Sequence, residues 1–223
     1  IILLMAFAPQ IQWAKHKRKN TQTFYIIIIT IIITATSYYF LENLFFSLST
    51  FITGPLFIKS FLVFFKQFSK NRIFFSQWLA HLSIGIFIIA AVYTEQFDYE
   101  KNITFEKGND TEILLKKDVS LILKNIEDKS FSNHQKISVD LSIIEKDIEY
   151  LLSPSKNIYR PSGQVTNEVS TINKYLNQYY ATISVIESDK VSINLVYKPL
   201  INLLWISSIL LVFSIFLSII KRK

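Results

Sequence analysis

Three histidines and no cysteine narrow what this 223-residue chain can do chemically. Without cysteine there are no disulfides, thiolate metal sites or thiol nucleophiles. No glycine-rich phosphate loop, paired-carboxylate motif or Ser/His/Asp signature stands out. The distinctive histidine is His81, in the segment Gln77-Trp78-Leu79-Ala80-His81-Leu82-Ser83-Ile84-Gly85. It lies roughly 12 Å into an otherwise apolar run, at 1.5 Å per residue. An ionisable residue at such depth is costly and faces a bundle interior or a site. Neutral imidazole is also the form that ligates metal. On a helix, Trp78 at i−3 and Gly85 at i+4 share its face. Gly85 leaves room beside the imidazole for something flat and large, and Trp78 can wall it. Two readings stay open: a ligand to such a group, or a histidine hydrogen-bonded to a neighbouring helix. His16 lies in a basic cluster and reads as solvated. His134, in Asn133-His134-Gln135, reads as an exposed loop residue.

The elements that must position His81 follow from composition. Half of the residues are hydrophobic and only 18% are charged, against about a quarter in ordinary soluble domains. A span needs about 20 predominantly apolar residues to cross the hydrocarbon layer. Four runs qualify: Phe24–Leu41, Asn43–Phe65, Ile73–Thr94 and Pro199–Ile220. Ile1–Trp13 is too short and contains Pro9, so it reads as the end of a fifth span. The runs are rich in β-branched residues, but a bilayer admits only helices and closed barrels. No period-2 polarity suits a barrel, so the runs are predicted to be helices. The fold class is therefore an integral membrane α-helical protein, with four full spans and the end of a fifth, joined to a small extramembrane antiparallel β domain. The expected divisions are 1–94, 95–198 and 199–223.

Charge supports this division. Residues 94–198 hold 16 of the 17 acids against 13 bases. The remainder holds 11 bases and one acid, Glu42. Ten of those bases form three clusters beside apolar runs: Lys15, Lys17, Arg18 and Lys19; Lys66, Lys70 and Arg72; Lys221, Arg222 and Lys223. The eleventh, Lys59, is near enough to a span end to snorkel. Clusters at span ends fit orientation signals rather than nucleic-acid binding. With all three inside, residues 95–198 lie outside. A cleaved signal peptide does not fit residues 1–13, because the basic cluster follows the apolar stretch. Trp13, Trp205, Tyr38 and Tyr39 sit near span ends, as interfacial aromatics do.

Within 95–198, alternating stretches recur at Ile113–Leu115, Ser120–Lys124, Lys136–Ile144, Ala181–Glu187 and Val191–Tyr197. Turn signals separate them at Gly108-Asn109-Asp110, Glu127–Ser130, Pro154–Ser155, Pro161-Ser162-Gly163 and Ser188-Asp189. That is the pattern of a small antiparallel β domain.

The ordered motifs resemble the C-terminal part of the cytochrome c maturation F (CcmF) haem lyase family. Pro9 to Trp13 before a basic loop resembles "GPxxxW", and Ala80-His81-Leu82 resembles "AHLG". Gly108-Asn109-Asp110 is similar to "SGD", Leu152–Tyr159 to "L-P-x-K-R-x-Y", Thr166 to Glu168 to "TEA" and Tyr179-Tyr180 to "DLY". Lys198-Pro199 and Trp205 resemble "KP…WIW". Ser83 stands where the family has glycine after "AHL", Ser207-Ser208 replaces a Gly-rich final span, and Glu168 is displaced by one position.

The resemblance implies a haem-handling subunit of a cytochrome c haem lyase. It implies a haem b within the membrane, with His81 as one axial ligand to its iron and Trp78 and Gly85 beside it. The implied partners are a CcmE-like haem chaperone, a CcmH-like thiol partner, apocytochrome c and membrane lipid, with no nucleic acid. The family's Trp-rich haem-handling segment and other functional histidine belong to an N-terminal half. The chain is thus expected to be a fragment or a separately encoded half, inactive as a lyase without an N-terminal CcmF-type partner that supplies the second haem ligand. Split, mitochondrially encoded members and an AT-rich residue bias imply the mitochondrial inner membrane, with 95–198 facing the intermembrane space. The alternative is a bacterial inner membrane with that domain periplasmic. A competing function is a derived scaffold subunit of a respiratory or assembly complex without haem chemistry.

Overall fold

The structure, a computed structural model, describes residues 21–67, 72–106, 112–116, 119–146, 148–186 and 190–220. The chain divides into two compact units at Phe97/Asp98 and Pro199/Leu200. His16, Trp13, the Pro9-to-Trp13 motif and the Gly108-Asn109-Asp110 and Ser188-Asp189 turn signals lie outside the described residues.

Among the described residues, the first unit contains four helices: α1 (Thr21–Leu41), α2 (Leu44–Gln67), α3 (Arg72–Gln96) and α4 (Ile201–Ile220). All four are long and apolar enough to cross a membrane. The β-branched run Ile26–Ile33 is helical despite its preference for strands in water, as a backbone must be when lipid offers no hydrogen bonds. Many hydroxyls on these helices are satisfied locally. Thr30, Thr36, Ser83 and Ser208 donate to the carbonyl four residues back, and Ser37, Ser207 and Ser214 to the one three back.

Boundaries follow capping chemistry. Asn43 Oδ1 accepts from Phe46 N at 2.9 Å, which caps α2. Glu42 before it takes a left-handed φ of 50°. The C-terminal apolar run begins at Pro199, yet α4 starts only at Ile201, because Leu200 turns the chain with φ 57°. Pro55 sits inside α2, where neighbouring helices and local adjustment accommodate the missing donor.

The extensive helix contacts run α1–α2, α2–α3 and α3–α4, so the helices form a row. Gly54 marks the close approach of α1 and α2: a Cβ there would lie 2.9 Å from Thr30 Cγ2. Ser37 Oγ lies 3.4 Å from both Ser47 Oγ and Thr50 Oγ1 across the same contact. The antiparallel α2–α3 pair is tied by Asn43 Nδ2 donating to Gln96 Oε1 at 3.1 Å, with Phe46 edge-on to Tyr93.

The second unit is a two-sheet antiparallel β domain. Its strands are β1 (Tyr99–Glu106), β2 (Glu112–Lys116), β3 (Val119–Ser130), β4 (His134–Glu145), β5 (Ile148–Leu152), β6 (Ser155–Tyr159), β7 (Val165–Glu168), β8 (Ser170–Lys174), β9 (Asn177–Ile186) and β10 (Lys190–Lys198). One sheet has the order β1-β10-β9-β8, the other β2-β3-β4-β6-β7, with β5 also on β4. Alternate residues of both sheets make one core: Ile103 and Phe105 from β1, Leu121 from β3, Leu141 and Ile143 from β4, Ile183 from β9 and Ile193 from β10.

The long β4 divides its second edge between two partners, β6 along His134–Ser138 and β5 along Leu141–Glu145. The break falls at Ser153-Pro154, as expected of a residue without an N–H. Pro161-Ser162-Gly163 is a turn, with Gly163 at φ 68°. Glu127–Ser130 is not: it forms the end of β3, paired with Gln135–Ser138 of β4. Its charged side chains are exposed and hydrogen-bond along and across the hairpin, Lys129 to Glu127 and Gln135 to Asp128 at 2.9 Å. Charge there reflects a solvated hairpin arm.

Candidate functional site

The features singled out in the spans meet on the α2–α3 pair. His81 is half-buried, and its Nδ1 is buried without a hydrogen-bond partner. Trp78, 8% exposed, sets its ring edge-on to the imidazole with centroids 5.6 Å apart. This is the i−3 neighbour relation expected on a helix. Ser83 donates to the Leu79 carbonyl at 2.7 Å and so spends its hydroxyl on its own helix.

Gly85 faces α2. A Cβ there would lie 3.6 Å from Phe57 Cβ and 3.7 Å from Phe57 Cα. The space expected beside Gly85 is thus filled by Phe57. The glycine serves the approach of two helices.

Lys59 departs from its sequence reading. It does not snorkel: it is only 6% exposed, and its ammonium lies 5.3 Å from the Trp78 ring centroid. Packing of α2 against α3 buries it, with the aromatic face of Trp78 among its neighbours. Lys59 was the one base of the helical segments outside the three clusters, and that isolation was the available signal.

Among the described residues, two cavities border the helices. One of about 270 Å³ lies between α3 and α4, lined by Ser76, Gln77, Ala80 and Ser214. Another of about 290 Å³ lies between α1 and α2, with Ile31, Tyr38 and Phe51 in its wall. His81 lines neither. Among the described residues no group of three or more histidines and acids could hold a metal ion. A haem iron asks less of one chain, since a single histidine can hold it. A buried imidazole nitrogen without a partner, next to an indole at membrane depth, fits that requirement.

His134 is not a loop residue. It opens β4, stacks on Phe131 at 4.6 Å and lies 5.4 Å from Tyr159. Its Nδ1 is 2.7 Å from Asn133 Oδ1. It closes the β3–β4 hairpin. Among the described acids of the β unit, Glu168 is held by three side-chain donors. Ser155 Oγ, Lys136 Nζ and Asn157 Nδ2 donate to it at 2.5, 3.0 and 2.9 Å. These hydrogen bonds, led by Ser155 and reinforced by the Lys136 charge, hold its carboxyl at about 2. Nearby in the core, burial first and the Glu145 charge second push the Tyr179 phenol up. Glu145 is held by Lys174 at 2.6 Å. These groups fasten strands together, which is the reading their geometry supports.

No protein-family model matches the chain, and no curated protein matches it. A solved structure does: the cytochrome c haem lyase CcmF, with a TM-score of 0.78 at 12% identity, covering 98% of this chain. The chain therefore has a CcmF-like fold and spans 38% of the length of that solved chain.

Proposed function

We propose that this chain is a haem-handling membrane subunit of cytochrome c maturation. The observation that carries the reading is His81. The fold likeness extends over nearly the whole chain, and inside it a histidine at membrane depth keeps Nδ1 buried and unpartnered beside Trp78. His81 would hold the iron of a b-type haem. Trp78 walls the ring, and Gly85 keeps α2 close to α3. A bound haem supplies a redox-active iron. The protein supplies position and a water-poor setting.

The second ligand comes from an N-terminal CcmF-type partner, because His16 belongs to a charged segment by sequence and His134 closes a β hairpin. The β unit docks apocytochrome c or a CcmE-like or CcmH-like partner without chemistry of its own, since it contains no cysteine and its one histidine packs a hairpin. The basic clusters face the mitochondrial matrix, or the cytoplasm in a bacterium, and the β unit faces the opposite side.

The test is a reduced-minus-oxidised spectrum of the full chain isolated with its partners. A low-spin b-type spectrum is expected, lost in His81→Ala while the helices still insert. The chain alone binds haem weakly, with one ligand. Full retention of haem in His81→Ala, or a stoichiometric bis-histidine haem in this chain alone, overturns the assignment. If no form carries haem, the chain is a scaffold of its complex.

A further inference from the structure

The start of α3 and the end of α4 enclose the cavity of about 270 Å³, and Ser76, Gln77, Ser214 and Ser218 give it a polar wall. Both helices are otherwise apolar enough to span a membrane. At 25 residues, α3 is about 37 Å long and overhangs a hydrocarbon layer of about 30 Å by a few ångströms at each end. Ser76 lies about 6 Å inside the Arg72 end of α3, and Ser218 about 3 Å inside the Ile220 end of α4. The cavity therefore sits at the boundary between headgroups and hydrocarbon. Ile215 and Ile219 in its wall are 54% and 64% exposed, so it opens along an apolar helix face. Charge at this end has one sign by sequence. Lys66, Lys70 and Arg72 precede the cavity residues of α3, and Lys221, Arg222 and Lys223 follow those of α4. No acid occurs in 43–94 or 199–223.

We propose that this cavity binds the headgroup and glycerol of an anionic phospholipid. Basic pockets between spans are the setting in which acidic headgroups are held. The flanking bases attract the phosphate. The Gln77 amide and the Ser218 hydroxyl donate to the glycerol and ester oxygens, and the acyl chains run along Ile215 and Ile219. Ser214 donates to the Leu211 carbonyl at 2.6 Å and so contributes shape. A free phosphate uses the bases alone; only a lipid also uses the apolar wall, which is why the occupant is a lipid. The inference stands apart from haem, because His81 lines no part of this cavity.

The experiment offers the full chain, in a neutral detergent, an equimolar mixture of dioleoyl phosphatidylglycerol and dioleoyl phosphatidylcholine. The two probes share their acyl chains and differ in headgroup charge. Retained lipid is counted by native mass spectrometry, and helix content is checked by circular dichroism. The wild type should retain phosphatidylglycerol over phosphatidylcholine by about tenfold, a ratio equal to 1.4 kcal/mol. Ala80→Leu, which fills the cavity and keeps every base, should lose most of that preference. Gln77→Leu/Ser218→Leu, which removes the polar donors, should do the same. Inorganic phosphate in excess should leave the bound lipid in place. Equal retention of the two lipids by the wild type overturns the proposal without any variant having to fold. A preference that survives both sets of substitutions also overturns it, because the bases then act on surrounding lipid without a site. Displacement by inorganic phosphate overturns the choice of a lipid and marks a site for a free anion.

Discussion

Gly54 and Gly85 both face a neighbouring helix, but alanine at the two positions should act with opposite sign. At Gly54 the new Cβ lands 2.9 Å from Thr30 Cγ2. Thr30 cannot simply rotate away. It is 1% exposed, and its Oγ1 donates to the Ile26 carbonyl at 2.8 Å. Overpacking of this kind costs roughly 1–3 kcal/mol, against a helix-propensity gain of about 1 kcal/mol for Gly→Ala. Gly54→Ala should therefore lose about 1 kcal/mol net. At Gly85 the nearest atoms stand at 3.6 and 3.7 Å, an ordinary contact, so Gly85→Ala keeps up to about 1 kcal/mol of the propensity gain. Thermal unfolding of the full chain in detergent, followed at the helical dichroism band, separates them. At about 2–4 °C per kcal/mol for a chain of this size, Gly85→Ala should melt a few degrees above the wild type and Gly54→Ala a few below. Adding Thr30→Ser deletes the offending methyl and keeps the hydroxyl, so Gly54→Ala/Thr30→Ser should melt above Gly54→Ala alone. Shifts of the same sign for both glycines, or no rescue by Thr30→Ser, would refute the close approach of α1 and α2.

Two further outcomes are open to direct measurement. Protease added to right-side-out vesicles or mitoplasts should cut within 95–198 and spare the basic segments; protection of that domain with cleavage at 66–72 inverts the proposed topology. The Glu168 carboxyl is held at about 2, against an ordinary value of 4.5. The stability it lends is full above 4.5 and is lost as pH falls from there towards 2. Hydrogen exchange of β6 and β7 should accelerate across that window in the wild type, and Glu168→Gln should flatten the pH dependence.

The helices were readable because hydropathy and length suffice when lipid is the solvent: each apolar run coincides with a span helix to within three residues at either end, the start moving by one residue where Asn43 caps and by two where Leu200 turns the chain. The β domain was readable as a class, but β1 and β5 to β8 were not. β1, β5 and β8 place charged or amide side chains on the outer face of their sheets, and β6 and β7 bury Ser155 and Asn157 around Glu168 instead of apolar side chains. Alternation of hydrophobic residues therefore fades there. At the site, the i−3 relation of Trp78 to His81 follows from helix geometry alone. What covers Gly85 and Lys59 does not, because it depends on which face of α2 meets α3, and α2 is apolar nearly all round.

The neighbour-by-neighbour arrangement of α1 to α4 has a consequence for the order of assembly. Each of the first three helices finds its partner within a few residues of synthesis. The contact of α3 with α4 instead waits for the whole β unit, roughly 100 residues, which at 5–20 residues per second delays it by about 5–20 s. During that interval the face of α3 that receives α4 is bare, and β1 lacks β10, its only sheet neighbour among the described residues and the last strand to be made. A chaperone-like partner acting on this chain has its window there, and a truncation before Lys190 leaves both the helix face and the strand edge permanently open.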